Sequence, residues 1–180
     1  MPVLEVRRHT MRSKPGQHLS QQGVALANMI GKSTGPFDLV WTSEKPRAIE
    51  TAIAMGYAPT RQSTALGNLP KSILDAVAWP NDLESISNIV RRNTACERFA
   101  RAQAEEWRSI AGELKDNQSA LIVTHGAIIE LGAIGFMPNA TYSTWGDAIG
   151  YCEGFRFSQI EGLETCEVLR VPSHLQTIYN

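Results

Sequence analysis

The sequence predicts an α/β fold: a three-layer α/β/α sandwich with a mainly parallel central sheet and an antiparallel C-terminal edge. Short apolar runs that read as buried strands include Val3-Leu4-Glu5-Val6, Asp38-Leu39-Val40-Trp41 and Ala120-Leu121-Ile122-Val123. They alternate with longer segments of helical spacing. Such alternation marks strands joined by crossover helices in a layered domain. Near the end, two strand-like runs follow one another directly, over 150–160 and 165–171. They read as a hairpin, which supplies the antiparallel edge.

The elements can be justified in order. A first strand is expected over 3–7, then a basic loop over 10–18. Ser20 suits an N-cap, where its hydroxyl accepts from an amide of the first turn. Val24, Ala27 and Ile30 then share one helix face, and the helix ends near Gly31. A second strand follows over 38–42. Pro46 fits the first turn of the next helix, where its missing N–H costs nothing. That helix is expected to turn Ile49, Ala52 and Ile53 inward and to stop around Gly56. A short strand is expected over 61–66, and the stretch 67–82, holding Pro70 and Pro80, reads as the least regular. Helices over 83–92 and 95–115 come next. The second carries Phe99, Ala102, Trp107, Ile110 and Leu114 at roughly helical spacing. A strand over 119–124, a helix over 127–136 and the hairpin complete one domain, 1–180.

Composition narrows the function classes. The chain of 180 residues is long enough for one substantial core, and it contains no repeat, low-complexity tract or linker. Its formal net charge of -1 argues against nucleic acid or an acidic membrane as partner, so any positive field must be local. No apolar run reaches membrane-spanning length, and the chain enters a strand at once, which leaves no secretory signal. Three Cys disfavour a disulfide framework. Pairing about a turn at Glu161-Gly162 sets Cys166 opposite Phe157 rather than Cys152, so free thiols in a reducing cytoplasm are expected. Composition leaves the oligomeric state open.

Each of the three apolar runs ends on chemistry. His9 follows the first, with Arg8 beside it; Thr42-Ser43-Glu44-Lys45-Pro46-Arg47-Ala48 follows the second; Thr124-His125-Gly126 follows the third. Ligands of open parallel sheets collect outside the carboxyl ends of the strands, so these ends can bring two His and two Arg together. Two guanidiniums offer forked donors that match phosphoryl oxygens. A neutral imidazole is a competent nucleophile towards phosphorus, and nearby cations disfavour its protonation. His125 and the Gly126 amide, at a helix start, can meet developing negative charge. The arrangement needs no metal, and the sequence shows no close ligand cluster for one.

Arg8-His9, Leu19-Ser20-Gln21-Gln22-Gly23, the run from Ser43 to Ala52 with Arg47-Ala48 and Thr51-Ala52, and Thr124-His125-Gly126 together resemble the histidine phosphatase superfamily, the clan of phosphoglycerate mutase and the acid phosphatases. The matches occur in order across nearly the whole chain. The resemblance implies that His9 becomes phosphohistidine and that Arg8, Arg47 and His125 form the phosphate pocket, with Thr10 and Gly126 beside it. It also implies a carboxylic acid that protonates the leaving group, placed upstream of a Glu-Ser pair. Leu83-Glu84-Ser85 resembles that pair, making Asp75 the first candidate, Asp82 the second and Glu84 the third. Two positions depart from the pattern. Thr10 replaces a Gly, adding a Cβ where backbone passes close to phosphate, and Pro15 stands where the family commonly has Asn. Arg12, Ser13 or Lys14 could take over that contact.

The remaining conspicuous residues read as structural. Arg7 alternates away from Arg8 and is expected at the surface or in a salt bridge. His18 and His174 lack a strand-end setting, and Glu105-Glu106 reads as a solvated helix face. Of the four Trp, Trp79 is the one placed to meet a substrate; the others are expected to pack. Arg12, Lys14 and Lys45 could steer an anionic substrate. The expected activity is a metal-independent, cofactor-free phosphatase acting on a phosphorylated small molecule or phosphoprotein. A phosphomutase and a non-catalytic phosphate-binding module are the alternatives.

Overall fold

The computed structural model describes residues 2–160 and 163–179. In chain order the elements are β1 (Val3–Arg8), α1 (Gln21–Gly31), β2 (Leu39–Thr42), α2 (Pro46–Ala54), β3 (Arg61–Gln62), α3 (Lys71–Val77), α4 (Leu83–Arg92), α5 (Thr94–Ala111), β4 (Ser119–Thr124), α6 (Ile128–Phe136), β5 (Gly154–Ile160) and β6 (Leu163–Leu169). The strands form one sheet in the order β3-β2-β4-β1-β5-β6. β1, β2, β3 and β4 pair in parallel, while β5 runs antiparallel to both β1 and β6. This is the expected mainly parallel sheet with an antiparallel C-terminal edge.

Alternation along β4 builds the two cores. Ala120 and Ile122 face a cluster containing Trp107, Leu83, Ile86, Ile129 and Phe155, under α3 to α6. Leu121 and Val123 face Leu26, Ala27, Ala48 and Ala52, under α1 and α2. All four of these strand residues are essentially inaccessible to solvent, as a parallel strand covered on both faces should be. Trp107 reaches this depth because Gly132 of α6 lies against its ring; a Cβ there would sit 2.3 Å from Cζ2.

Ser20 caps α1 by accepting from the Gly23 amide, and Pro46 occupies the first turn of α2. The inward faces are rotated from those expected. Val24 and Ile53 are exposed, and the buried positions are Gly23, Leu26, Ala27 and Ile30 in α1 and Ala48, Thr51 and Ala52 in α2. In both helices small residues let the helix approach the sheet closely, which displaces the larger β-branched side chains to solvent. In α5 likewise, Ala102 is exposed while Ala100, Gln103 and Ala104 are buried. The stretch expected to be least regular contains α3, with Ile73 and Val77 buried one turn apart. Seven residues are too few for a periodicity signal. The strand expected over 61–66 pairs only at Arg61 and Gln62, after which Thr64–Leu66 turns as a 3-10 helix that buries Leu66.

In the hairpin Cys166 lies opposite Phe157, as expected, and Cys96, Cys152 and Cys166 are all free thiols. The expected turn at Glu161-Gly162 lies outside the described residues. Arg7 is not at the surface: it is buried, in an ion pair with Glu5, and donates to the Cys152 carbonyl. His18 and His174 are exposed, His18 hydrogen-bonded to Glu50. Among the described residues no helix is long and apolar enough to cross a membrane.

Candidate active site

Register sets the site. Arg8 pairs with Thr124 and Thr42 with Val123, so β1, β2 and β4 end at one level. His9 and His125 are the residues that follow, and the His9 amide donates to the Thr124 carbonyl at 2.9 Å. The two rings lie 5.0 Å apart between centroids. Arg47, in the first turn of α2, reaches over both. Its Nε lies 3.1 Å from His9 Nε2 and 3.3 Å from His125 Nδ1, and its outer nitrogen donates to the side-chain Oε1 of Gln17.

These contacts fix the proton positions. A backbone carbonyl only accepts, so His9 Nδ1, 2.7 Å from the Thr10 oxygen, carries the ring proton. His9 Nε2 is therefore a lone pair, turned towards Arg47 and the cleft. His125 Nδ1 likewise accepts from Arg47, which leaves Nε2–H to donate to Ser43 Oγ at 2.7 Å. Burial, then Arg8, Arg47 and Arg12, hold His9 well below the ordinary imidazole range, against the Thr10 hydrogen bond, which acts the other way. Burial, then His9, Arg47, Lys45 and Arg8, do the same to His125. Both shifts favour the neutral ring, and His9 is held in a defined tautomer with Nε2 unprotonated.

Arg8 is buried with its guanidinium between two rings, 4.2 Å from the Tyr151 centroid and 4.9 Å from that of Trp79. Its terminal nitrogens donate to the carbonyls of Ile149 and Ile178, each at 2.9 Å, while Nε has no partner among the described residues. Gly126 also lines the cleft. A Cβ there would stand 2.3 Å from the Trp79 ring, so only Gly lets this wall close on the floor. The next residue, Ala127, has φ 65°, a strained backbone value at the turn from β4 into α6.

The cleft above has a volume of about 440 Å³, within the range of small-molecule sites. Arg8, His9, Arg47, His125 and Gly126 form its floor, and Arg12, Lys14 and Lys45 line its basic side. Leu69, Leu74, Trp79, Ile178 and Tyr179 form an apolar and aromatic side. Trp79 was the Trp singled out from sequence, and it is the one that reaches the cleft; Trp107 and Trp145 are buried in the core.

Four of the expected residues lie elsewhere. Thr10 is fully buried beneath the floor, its amide donating to Thr51 Oγ1 and its hydroxyl to the Gly23 carbonyl. Asp75 lies on the exposed side of α3, paired with Lys71; its neighbour Leu74, about 100° away around the helix, lines the cleft instead. Asp82 caps α4, and its bonds to Ser85 hold its carboxyl below the usual range, the reverse of what a proton donor needs. Glu84 is exposed in the first turn of the same helix. Among the described residues no group of three His, Cys, Asp or Glu is placed to hold a metal ion.

Sequence reasoning did not assign roles to Ser43, Gln17, Tyr151, Tyr179 or Glu130. Glu130 had a signal: a carboxylate within Ala127-Ile128-Ile129-Glu130-Leu131-Gly132-Ala133, an otherwise apolar run, must be buried with partners. It is fully buried, its Oε1 accepting from the Trp79 indole at 3.0 Å and the Ile149 amide at 2.9 Å. Burial pushes its carboxyl up from the usual range.

No protein-family model matches the sequence, and no curated protein matches it significantly. Solved structures do match the fold. A phosphoserine phosphatase from Entamoeba histolytica, in complex with 3-phosphoglyceric acid, superposes with a TM-score of 0.69 at 16% identity, over 97% of this chain and 100% of that one. A phosphoglycerate mutase from Bacillus anthracis gives 0.63 at 20% identity over 93% and 92%. A mycobacterial glucosyl-3-phosphoglycerate phosphatase gives 0.53 at 21% identity over 93% and 97%. Over nearly its full length, this chain has the α/β fold of the histidine phosphatases.

Proposed function

We propose that the chain is a phosphatase that passes a phosphoryl group through His9. The single observation that carries this reading is the His9 tautomer: Nδ1–H is spent on the Thr10 carbonyl, and Nε2 offers its lone pair to the cleft beside Arg47. The phosphoryl group would displace the Arg47–imidazole contacts, so that Arg47 grips its oxygens above the buried Arg8 charge, and His125 meets the rest by switching tautomer, with Nδ1 protonated and Nε2 accepting from the Ser43 hydroxyl. Nε2 forms the N–P bond as the P–O bond to the leaving group breaks. Water then attacks phosphorus and releases inorganic phosphate and neutral His9. No metal takes part in these steps. The relatives by fold include proteins described as phosphatases and one that holds 3-phosphoglyceric acid, which supports a phosphomonoester, as a small molecule or on a protein side chain, as substrate. Three free thiols suit a reducing cytoplasm.

The test is turnover of a phosphomonoester panel, with EDTA and without a bisphosphate primer. Release of inorganic phosphate is expected under these conditions. His9→Ala is expected to lose roughly 10³-fold or more and still to bind vanadate. Retained turnover in that variant rejects a covalent His9 mechanism, and a strict need for primer identifies a mutase.

A further inference from the structure

The two sides of the cleft differ in kind, and the apolar side bears on the leaving group. Trp79 is held from three directions. Its indole N–H is bound to Glu130, its ring covers the Arg8 guanidinium, and Gly126 lies against its edge. Tyr179 meets it edge to face, with centroids 6.1 Å apart and planes at 76°, while remaining 60% exposed. Leu69 and Leu74 line the same cleft. The result is a fixed aromatic wall directly outside the phosphate floor.

A second, independent observation concerns protons. Among the described residues that line the cleft none is a carboxylic acid. Asp75, Asp82 and Glu84 are engaged elsewhere. Glu130 lies sealed behind Trp79 with no accessible surface. An alkoxide leaving group is about as basic as hydroxide, and it needs a positioned acid. An aryl oxide, with a conjugate acid near 10, can leave unprotonated, and the basic side of the cleft stabilises its charge.

We propose that the outer cleft is an aromatic subsite and that the substrates are aryl phosphates. The proposal rests on the phosphatase reading for turnover but not for binding. The ring of the leaving group packs against the exposed surface of the Trp79–Tyr179 pair. As His9 Nε2 bonds to phosphorus, the electron pair of the P–O bond goes to the ring oxygen, which takes its proton from water.

Titration calorimetry with phenylphosphonate and methylphosphonate, which cannot turn over, tests the subsite. Phenylphosphonate is expected to bind at least about tenfold more tightly. Tyr179→Ala should bring that ratio below about threefold, and Tyr179→Phe should restore it; Tyr179 is exposed, so both variants fold. Kinetics of the wild type add the leaving-group term: kcat/KM for phenyl phosphate should exceed that for glycerol 2-phosphate by 10²-fold or more. A phosphotyrosyl peptide cleaved as fast as phenyl phosphate identifies protein side chains as the source, whereas cleavage of phenyl phosphate alone identifies small aryl esters. Equal binding of the two phosphonates, or equal turnover of aryl and alkyl esters, overturns the aromatic subsite while leaving the His9 mechanism standing. A phenylphosphonate preference without any turnover overturns the mechanism and keeps the subsite.

Discussion

The floor of the cleft and its outer wall are built by different means. The floor is made of residues immediately after parallel strands, His9 after β1 and His125 after β4, with Arg47 in the first turn of the helix after β2. Sheet register fixes their separation, and both imidazoles are buried. The wall is gathered from pieces distant in sequence: Leu69 from a loop, Leu74 from the short helix α3, Trp79 from the segment beyond it and Tyr179 from the C-terminal segment. On the proposed reading, the chemistry, which needs fixed geometry, would sit on the sheet, whereas selection of the leaving group would sit on connections that can change without disturbing it.

The largest expected effect comes from breaking the floor. Arg47→Ala removes the donor shared by His9 and His125, and kcat/KM is expected to fall by roughly 10²–10³. Arg47→Lys should recover part of the loss only, because an ammonium lacks the planar fork. The same Ala change should raise the His9 pKa, since Arg47 is one of the charges that lower it. Steady-state kinetics and an NMR titration of the ring read both effects. A Lys variant equal to wild type would make Arg47 a distant charge.

The second prediction sharpens the boundary between floor and wall. Glu130 is a carboxyl whose folded value is raised by burial above its unfolded one. It therefore supports folding fully below its unfolded value, near 4.5, and that support is lost as pH rises through the folded value. Glu130→Gln keeps an acceptor for Trp79 but no longer titrates. Its melting temperature relative to wild type should climb with pH across that window, by a few degrees. A difference independent of pH would mean that the Glu130 carboxyl titrates alike in the folded and unfolded chain.

The legibility of the sequence follows the same division. The ends of β1, β2 and β4 were readable because short apolar runs stop just before polar residues, Arg7, Arg8 and His9 after Val6, Thr42 after Trp41, and Thr124 and His125 after Val123. Ser20 and Pro46 were equally plain as helix starts. The wall was not readable: α3 is too short to show a period, and Tyr179 enters only because its segment returns across the cleft, where the Ile178 carbonyl accepts from Arg8. The inward faces of α1 and α2 were misjudged because hydrophobicity favoured Val24 and Ile53, whereas close approach to the sheet required Gly23 and Ala48. Asp75 was chosen on order in the chain, and order does not say which side of a helix faces a site.

The smallest expected effect tests that last point. Asp75→Asn breaks only an exposed pair with Lys71, which is worth less than about 0.5 kcal/mol. Turnover of aryl and alkyl phosphates should be unchanged. A selective loss on the alkyl ester would return Asp75 to the reaction as the proton donor.

The central claim is that His9 attacks through Nε2, because Nδ1–H is held by the Thr10 carbonyl. It is tested most directly by quenching the enzyme in base during turnover of phenyl phosphate and examining the phosphoprotein by phosphorus NMR and peptide mapping. An acid-labile phosphate on Nε2 of His9 is the predicted result. Phosphate on Nδ1, on His125 or on Ser43, or steady release of inorganic phosphate with no phosphoenzyme at all, would contradict it.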